Sequence, residues 1–206
     1  MPSVWERHAR ARIAAGDLLD PPVRHRFAWT RTDDGDPGTG LFGELAGRRV
    51  VDLGCGTGDN LAHLVRHHGA FGVGVDAAPS QIERARARWP YLDLHTGGAV
   101  GYLLGDPVPI EICYSVFGAV GLTPAMPLLV LIRQRLTAGG LLAFSVRAPH
   151  EGTRSPERGH PGVRWYLHAP PTWKRLLHRA GYTDVTIDMA DMAQTPRTLI
   201  VTARRP

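Results

Sequence analysis

Apolar residues recur along the chain in two alternating patterns, short β-branched runs and longer stretches with helical spacing. Runs such as RRVVDLG and FGVGVD are followed by stretches such as NLAHLVRHHG and SQIERARARW, in which apolar residues are three or four positions apart. The first pattern predicts buried strands and the second predicts amphipathic helices. Strict alternation of the two predicts a mostly parallel sheet with helices on both faces, which is an α/β fold of the Rossmann-like, doubly wound kind.

The two last apolar runs of the chain, TDVTIDM and TLIVTARR, are joined by a short connection that contains a proline. A parallel strand pair needs a crossover connection of about a dozen residues or more. The pattern therefore predicts an antiparallel hairpin at the C-terminal edge of the sheet.

Composition and charge restrict the classes of partner. The 206 residues are enough for one well-buried core and few for two domains. The chain is basic, with a net charge of +5, but Lys174 is the only lysine, and Arg84, Arg86 and Arg88 spread around one predicted helix. We therefore favour a solvated surface over a phosphate-binding patch, and nucleic acid is not the expected partner.

No apolar run reaches the roughly 18 residues that span a bilayer, and the N-terminus lacks the apolar segment of a secretory signal. The two cysteines, Cys55 and Cys113, do not form a disulfide framework. We expect a cytoplasmic protein with no membrane partner, and no set of metal ligands is predicted.

The stretch VVDLGCGTGDN, residues 50–60, joins a predicted strand to a predicted helix. Glycine has no Cβ, so a ligand can lie against the main chain of such a loop. A dinucleotide site favours G-x-G-x-x-G and a pyrophosphate at the helix N-terminus, but here the spacing is G-x-G-x-G and Asp59 follows. The extra carboxylate favours a cationic sulfonium ligand with a free amine, which Asp52 and the loop carbonyls can contact. A glycine-rich turn without a ligand is the alternative.

The second predicted strand ends at Asp76, about eighteen residues beyond Gly58. A carboxylate at this place can accept hydrogen bonds from both hydroxyls of a ribose. An aspartate that ends a strand also commonly caps the following helix. Because the glycine loop precedes Asp76 at this separation, ribose binding is the favoured interpretation.

Four stretches together resemble the class I S-adenosylmethionine-dependent methyltransferases, namely Val50 to Asn60, Gly72 to Asp76, Tyr114 to Gly121 and Leu136 to Val146. The resemblance extends from about residue 45 to the end of the chain. It implies a seven-stranded sheet, S-adenosyl-L-methionine as cofactor and S-adenosyl-L-homocysteine as product. More narrowly, the chain resembles small bacterial methyltransferases of types 11 and 25, many of which belong to natural-product pathways.

The resemblance also implies a division of labour along a single methyltransferase domain, residues 1–206. Its parts are an N-terminal helical cap (1–44), a cofactor-binding core (45–146), an acceptor lid (147–170), and a C-terminal helix and strand pair (171–206). The cofactor-binding residues that it implies are Asp52, Gly54, Cys55, Gly56, Gly58, Asn60, Asp76, Ala77, Gly98, Ala99, Ser115, Val116 and Trp29. In the cap, Trp29 and Thr30 are expected to close over the methionine end, with Trp5 and His8 as further candidates.

Two motifs of related enzymes are absent from the sequence, an acid that binds adenine and a run of residues that holds a flipped-out nucleobase. Family members often carry an acid after the third strand that binds the adenine amine, whereas this chain reads HTGGAV. Backbone groups near Gly98 and Ala99 would then recognise adenine. The segment Tyr114-Ser115-Val116-Phe117 replaces the Asn/Asp-Pro-Pro-aromatic run of enzymes that methylate base amines, which argues against such substrates.

The irregular segment after the fifth strand, where such enzymes build the acceptor pocket, contains the candidate catalytic residues. A general base adds about 10²–10⁴-fold when the nucleophile carries a proton. We predict His150 and His168 as candidate bases with Tyr166 behind them, and His160 and Glu151 are further candidates. A solvated histidine is the alternative interpretation of each.

The sequence therefore predicts a methyltransferase that acts on an O or N nucleophile of a small molecule, with carbon less favoured. The alternatives are an RNA or protein methyltransferase, a binding protein without turnover and a nicotinamide oxidoreductase. A monomer or a homodimer is expected, and the acceptor is not identified by these residues.

Overall fold

The computed structural model describes residues 4–16, 26–32, 34–150, 157–158, 163–193 and 197–206, with only the backbone described at 157–158. In these residues the strands are β1 Arg49–Leu53, β2 Phe71–Asp76, β3 Asp93–Thr96, β4 Ile110–Val116, β5 Leu136–Arg147, β6 Glu157–Arg158, β7 Arg164–Trp165, β8 Thr183–Ala190 and β9 Thr198–Arg204. The helices are α1 Val4–Ala14, α2 Asp59–His68, α3 Pro79–Arg88, α4 Ala99–Gly105, α5 Ala119–Leu122, α6 Ala125–Arg135 and α7 Pro170–Arg179, and a 3-10 turn covers Gly38–Phe42.

Seven strands form one sheet in the order β3-β2-β1-β4-β5-β9-β8. The five strands from β3 to β5 are parallel, and β9 is antiparallel to both β5 and β8. This confirms the predicted α/β fold, including its antiparallel C-terminal edge. The strand order reverses between β1 and β4, so the carboxyl ends of these two strands flank a crevice.

Helices cover both faces of the sheet because successive residues of a strand point to opposite sides. In β1, Val51 and Leu53 pack in a core cluster with α6 and α7, whereas Val50 packs in a second cluster with α2 and α3. Burial on both faces explains why the parallel strands are nearly continuous apolar runs. None of the described helices is long and apolar enough to cross a membrane.

The segment LTAGG lies in β5 and not at the end of the preceding helix, where the apolar spacing placed it. Leu136 pairs with Ile110, and the register shifts before the regular ladder resumes at Leu141. Gly139 has φ +72°, and its N–H donates to the Arg205 carbonyl at 2.8 Å. Because this glycine permits an irregularity in the pairing, β5 begins already at Leu136. Apolar spacing alone does not indicate such an irregularity.

Candidate functional site

Two adjacent cavities of about 290 and 320 Å³ lie at the carboxyl ends of the parallel strands. Gly54, Gly56 and Phe117 line both cavities, so the loops after β1 and β4 form their common wall. The first cavity extends along Asp76 and the start of α4, and the second extends over Asp52 toward α2. The site thus lies at the crevice that the strand order predicts.

The first glycine of the loop after β1, Gly54, packs too closely against the loop after β4 for a side chain to fit there. Gly54 has φ +91°, and a Cβ there would lie 2.7 Å from the Cα of Gly118. Gly56 has φ +55°, and a Cβ there would meet no protein atom within 4 Å. The first glycine therefore serves the packing of two loops, and the second leaves open space at the wall of both cavities.

The Asp76 carboxylate connects the glycine loop to the helix that follows β2. One oxygen accepts a hydrogen bond from Gly56 N at 2.9 Å, and the other accepts one from Ala78 N at 2.8 Å. Burial raises the pKa of Asp76, although these two hydrogen bonds oppose the rise. Each oxygen keeps acceptor capacity toward the first cavity, so helix capping and ligand binding are compatible roles.

The Asp52 carboxyl group lies beneath the second cavity with 3% of its residue surface exposed. Burial raises the pKa of Asp52 to about 7, the Tyr114 hydroxyl opposes that rise, and Asp76 adds to it. Among the described residues Asp52 has no cationic partner, and neither its Oδ1 atom nor the Tyr114 hydroxyl has a hydrogen bond of full distance and angle. A buried carboxylate without a cationic partner favours a ligand that is a cationic hydrogen-bond donor.

Two N-terminal segments complete the walls of the cavities. The Asn60 amide donates to Ala28 O at 3.0 Å and accepts from Ala28 N at 3.1 Å, which fixes the segment 26–32 over the second cavity. Helix α1 contributes Trp5, His8 and Arg12 to the first cavity, and Arg12 also lines the second. The cap thus lies where the cavities would otherwise be open.

Comparison with known proteins agrees with this geometry. The sequence model of the family described as a methyltransferase domain matches residues 50–140. The trans-aconitate 2-methyltransferases of Rhizobium rhizogenes and Deinococcus radiodurans are each 31% identical to this chain, over 48% and 64% of its length. An S-adenosylmethionine-dependent methyltransferase structure from Mesorhizobium loti superimposes with a TM-score of 0.64 at 22% identity, over 81% of this chain and 94% of that one.

Residues 50–140 match the model of a methyltransferase domain, and the comparisons support a class I S-adenosylmethionine-dependent methyltransferase. The matched stretch covers 38% and 50% of the lengths of the two trans-aconitate methyltransferases, so the chain spans half or less of these relatives. The matched residues of this methyltransferase domain include the glycine loop and Asp76, from which the resemblance was predicted.

Most of the predicted cofactor-binding residues line the cavities of the methyltransferase domain. Those that line them are Asp52, Gly54, Cys55, Gly56, Asn60, Asp76, Ala77, Gly98, Ala99 and Val116. Two others support the loops from behind, since Gly58 N donates to Cys55 O at 2.9 Å and Ser115 Oγ donates to Leu53 O at 2.7 Å. Cys55 lines the second cavity. Burial raises the pKa of its thiol, which keeps the group protonated and disfavours a role as nucleophile.

The structure corrects the prediction that the Trp29 side chain closes over the ligand. Its indole is 0% exposed and packs against Phe27 and Phe42, and Nε1 donates to Gly38 O at 2.7 Å. Thr30, which was predicted together with Trp29, lines the second cavity, and so does Ala28. Thr30 thus lies at the cavity as predicted, whereas the Trp29 side chain does not.

None of the three predicted catalytic residues lines either cavity. His150 is exposed after β5, and Tyr166 donates its backbone N–H to Gly121 O at 2.9 Å. The ring of His168 packs edge-on against Trp173 with centroids 5.0 Å apart, and burial lowers its pKa. His160 and Glu151 lie outside the described residues. From the same segment, Trp165 reaches the first cavity.

Sequence reasoning missed three residues that line both cavities, namely Phe117, Gln81 and Arg12. Phe117 lines both and has φ +47°, a left-handed conformation that is uncommon for a bulky residue and marks functional sites. Gln81, in the first turn of α3, also lines both. Only the flanking Gly118 signalled the unusual backbone at Phe117, and no pattern signalled Gln81.

Proposed function

We propose that this chain is an S-adenosylmethionine-dependent methyltransferase that acts on an O or N nucleophile of a small molecule. The observation that carries the proposal is the buried Asp52 carboxylate, which has no cationic partner among the described residues and lies beneath the bare glycine loop. In this assignment Asp52 pairs with the amine of the methionine moiety, and Asp76 accepts the ribose hydroxyls. Backbone groups at Gly98 and Ala99, which line the first cavity, contact the adenine.

The sulfonium carries the methyl group on a good leaving group. The main tasks of the protein are therefore to position the nucleophile and to exclude water. Holding the nucleophile in line in a closed site accounts for most of the acceleration of such a transfer. The glycine loop and the Phe117 loop fix one wall, while α1 and the segment 26–32 exclude water from the other side. We also propose that residues 1–206 form one domain, which is divided into the N-terminal cap, the cofactor-binding core, the acceptor lid and the C-terminal part.

The relatives support a small-molecule acceptor, since the two described above are named trans-aconitate 2-methyltransferases. A cytoplasmic protein that is a monomer or a homodimer and does not bind nucleic acid remains our expectation. A binding protein without turnover is the second candidate, because none of the predicted bases lines the cavities in the described residues.

Calorimetric titration with S-adenosylhomocysteine, beside NADH, tests the cofactor assignment. The variant Asp76→Asn keeps an acceptor oxygen and the size of the side chain but loses the charge, so it disturbs the loop less than Asp76→Ala. We expect micromolar binding to the wild type and at least tenfold weaker binding to Asp76→Asn. The exposed β8 residue Asp188, changed to Asn, is the matched control and is expected to bind normally.

Binding of NADH without detectable binding of S-adenosylhomocysteine would contradict the proposal and favour a nicotinamide oxidoreductase. Binding of S-adenosylhomocysteine without methyl transfer to any small molecule would favour the protein without turnover. Equal affinity of wild type and Asp76→Asn would remove Asp76 from the ribose site.

A further inference from the structure

Trp165, from the segment after β5, lines the first cavity and not the second. Asp76 and Gly98, which the proposed function assigns to the ribose and the adenine, also line only the first cavity, whereas Asp52 lines only the second. The cofactor carries its adenine and its methionine moiety on opposite sides of the ribose. Trp165 therefore belongs to the part of the site that is assigned to the nucleoside.

Three contacts hold Trp165 against the wall of the first cavity. Its backbone pairs with that of Glu157 between β6 and β7, and the next residue, Tyr166, donates its N–H to Gly121 O at 2.9 Å. The guanidinium carbon of Arg147 lies over the indole, 5.1 Å from the ring centroid, which is within the range of a cation–π interaction. Because an indole has two faces and Arg147 covers one, the other face remains for a planar ligand.

The first cavity contains no second carboxylate that could bind the 6-amino group of adenine. Asp76 is the only acid among the described residues that line it, and the proposed function assigns this group to the ribose. In the loop after β3, the Gly97 N–H donates to Asp76 O at 2.9 Å, and the Gly98 carbonyl accepts from Tyr102 N at 3.0 Å. These backbone groups already take part in hydrogen bonds within the fold.

The space beside this loop suits a flat, apolar ring. A Cβ at Gly97 or at Gly98 would meet no protein atom within 4 Å. From α5, Ala119 and Leu122 add apolar surface to the same cavity. Stacking on an aromatic side chain is possible for every base, because each base has a π-face, and it is independent of the exocyclic groups. A purine can therefore gain more here from its ring faces than from its 6-amino group.

We propose that Trp165 stacks on the purine ring of the cofactor, so that the protein recognises the shape of the base and not its 6-amino group. This inference rests on the proposed function and adds a specificity-determining residue to it, one that the sequence assigned to the acceptor lid. A site that hydrogen-bonds an amine through a dedicated acceptor rejects a ligand without that amine by about 10⁴-fold or more. The site of this protein should accept a 6-oxo purine at little cost, whereas loss of the whole base should be costly.

Calorimetric titration with three ligands tests the inference without any need for turnover. The ligands are S-adenosylhomocysteine, S-inosylhomocysteine, in which an oxygen replaces the 6-amino group, and S-ribosylhomocysteine, which has no base. We expect the first two to bind the wild type with affinities within about fivefold of each other, since no acceptor is dedicated to the amine. The third should bind at least about tenfold more weakly, because the stacking contact is lost.

Variants of Trp165 show whether this side chain supplies the stacking. Trp165→Leu keeps an apolar side chain but removes the ring, and we expect it to weaken binding of the two purine ligands about tenfold while S-ribosylhomocysteine binds as before. Trp165→Phe keeps a ring and should restore most of the affinity. Phe71→Leu, which removes an exposed ring at the start of β2, is the matched control and should bind all three ligands like the wild type.

The outcomes separate this inference from the proposed function. Failure of the wild type to bind S-adenosylhomocysteine would overturn the proposed function itself. A preference for S-adenosylhomocysteine over S-inosylhomocysteine greater than the expected range would overturn the inference alone, since some group would then bind the amine. If Trp165→Leu weakens all three ligands equally, or none of them, Trp165 is not part of the base site, and the cofactor assignment stands without it.

Discussion

At the scale of single residues, Asp52 combines deep burial with a ligand-facing position. Because burial raises its pKa to about 7, the folded protein binds a proton there more tightly than the unfolded chain does. The stability associated with that proton is complete below about pH 4 and is lost as the pH rises through about 7. Without ligand, Asp52 therefore lowers the stability of the folded state at pH 8.

We predict that Asp52→Asn stabilises the ligand-free protein at pH 8, by at most about 4 kcal/mol, because the neutral amide removes the cost of a buried charge. The difference from the wild type should shrink toward zero as the pH falls to about 4. Melting temperatures across this pH range measure it. A variant that is less stable than the wild type at pH 8 would contradict the prediction and indicate that Asp52 is already compensated.

Asp52 and Asp76 could be predicted from the sequence because glycine spacing and strand ends fix where such residues lie. The Trp29 side chain and Phe117 could not be predicted in the same way. Their roles depend on the packing of distant segments, such as the contacts of Trp29 with Phe42 and the φ of +47° at Phe117. Local sequence patterns carry no information on such contacts.

At the scale of elements, α1 contacts the rest of the protein chiefly through the start of α3. The Glu6 side chain is buried and accepts hydrogen bonds from Ser80 N at 3.1 Å and Ser80 Oγ at 3.0 Å. A carboxylate at a helix N-terminus also interacts favourably with the helix dipole. This contact positions the face of α1 that carries Trp5, His8 and Arg12 against the first cavity.

We predict that Glu6→Gln weakens S-adenosylhomocysteine binding about three- to tenfold, because the cap loses a charge-assisted anchor but no residue of the ligand site. The unfolding temperature should fall by only a few degrees, since α1 lies outside the sheet. Calorimetry and thermal unfolding measure the two effects. Glu83→Gln, an exposed change on α3, is the control, and an unchanged affinity for Glu6→Gln would exclude α1 from the binding site.

The segment 26–32 is anchored to the β8–β9 hairpin by one carboxylate. Asp191, at φ +55°, accepts hydrogen bonds from the backbone of Arg31 and Thr32 and from the hydroxyl of Thr198. Burial acts to raise the pKa of Asp191, but these donors outweigh it and lower the pKa. Its contribution to stability is therefore present at neutral pH and is lost as the pH falls below about 4.

We predict that Asp191→Ala lowers the free energy of unfolding by about 2–4 kcal/mol, since several buried donors lose their acceptor at once. Asp191→Asn should cost less, because asparagine tolerates positive φ and keeps one acceptor oxygen. Urea unfolding at pH 7 measures both, with Asp188→Ala on the exposed face of β8 as the control. Equal stability of Asp191→Ala and the wild type would show that the segment is held by other contacts.

The elements of the sheet were predictable because buried strands and amphipathic helices differ in apolar period, and β1, β2 and β4 occur where that period places them. The acceptor side was not predictable in the same way. His150 and His168 were chosen for their chemistry and their nearness to a strand end, yet neither lines a cavity. The direction of a side chain in an irregular segment follows from tertiary packing, which no local pattern reports.

At the scale of the whole molecule, the arginines of α3 form ion pairs and hydrogen bonds with neighbouring residues and do not form a continuous basic face. On α3, Arg88 pairs with Asp59 at 3.6 Å, Arg86 donates to Leu94 O at 2.7 Å, and Arg84 donates to Gln81 at 3.4 Å. Nucleic-acid affinity requires several arginines or lysines that neutralise phosphates along one continuous face. The cluster that the sequence suggested does not provide such a face.

We therefore predict that a 20-nucleotide single-stranded RNA binds this protein more weakly than about 100 µM at 150 mM salt, which is at the weak limit of non-specific binding. Fluorescence polarisation over a series of salt concentrations measures both the affinity and its salt dependence. Micromolar affinity with a steep loss between 50 and 200 mM salt would mean that many phosphates are neutralised, and RNA would replace a small molecule as the substrate to test. Weak binding at every salt concentration would mean that the net charge of +5 reflects arginines that are engaged within the fold.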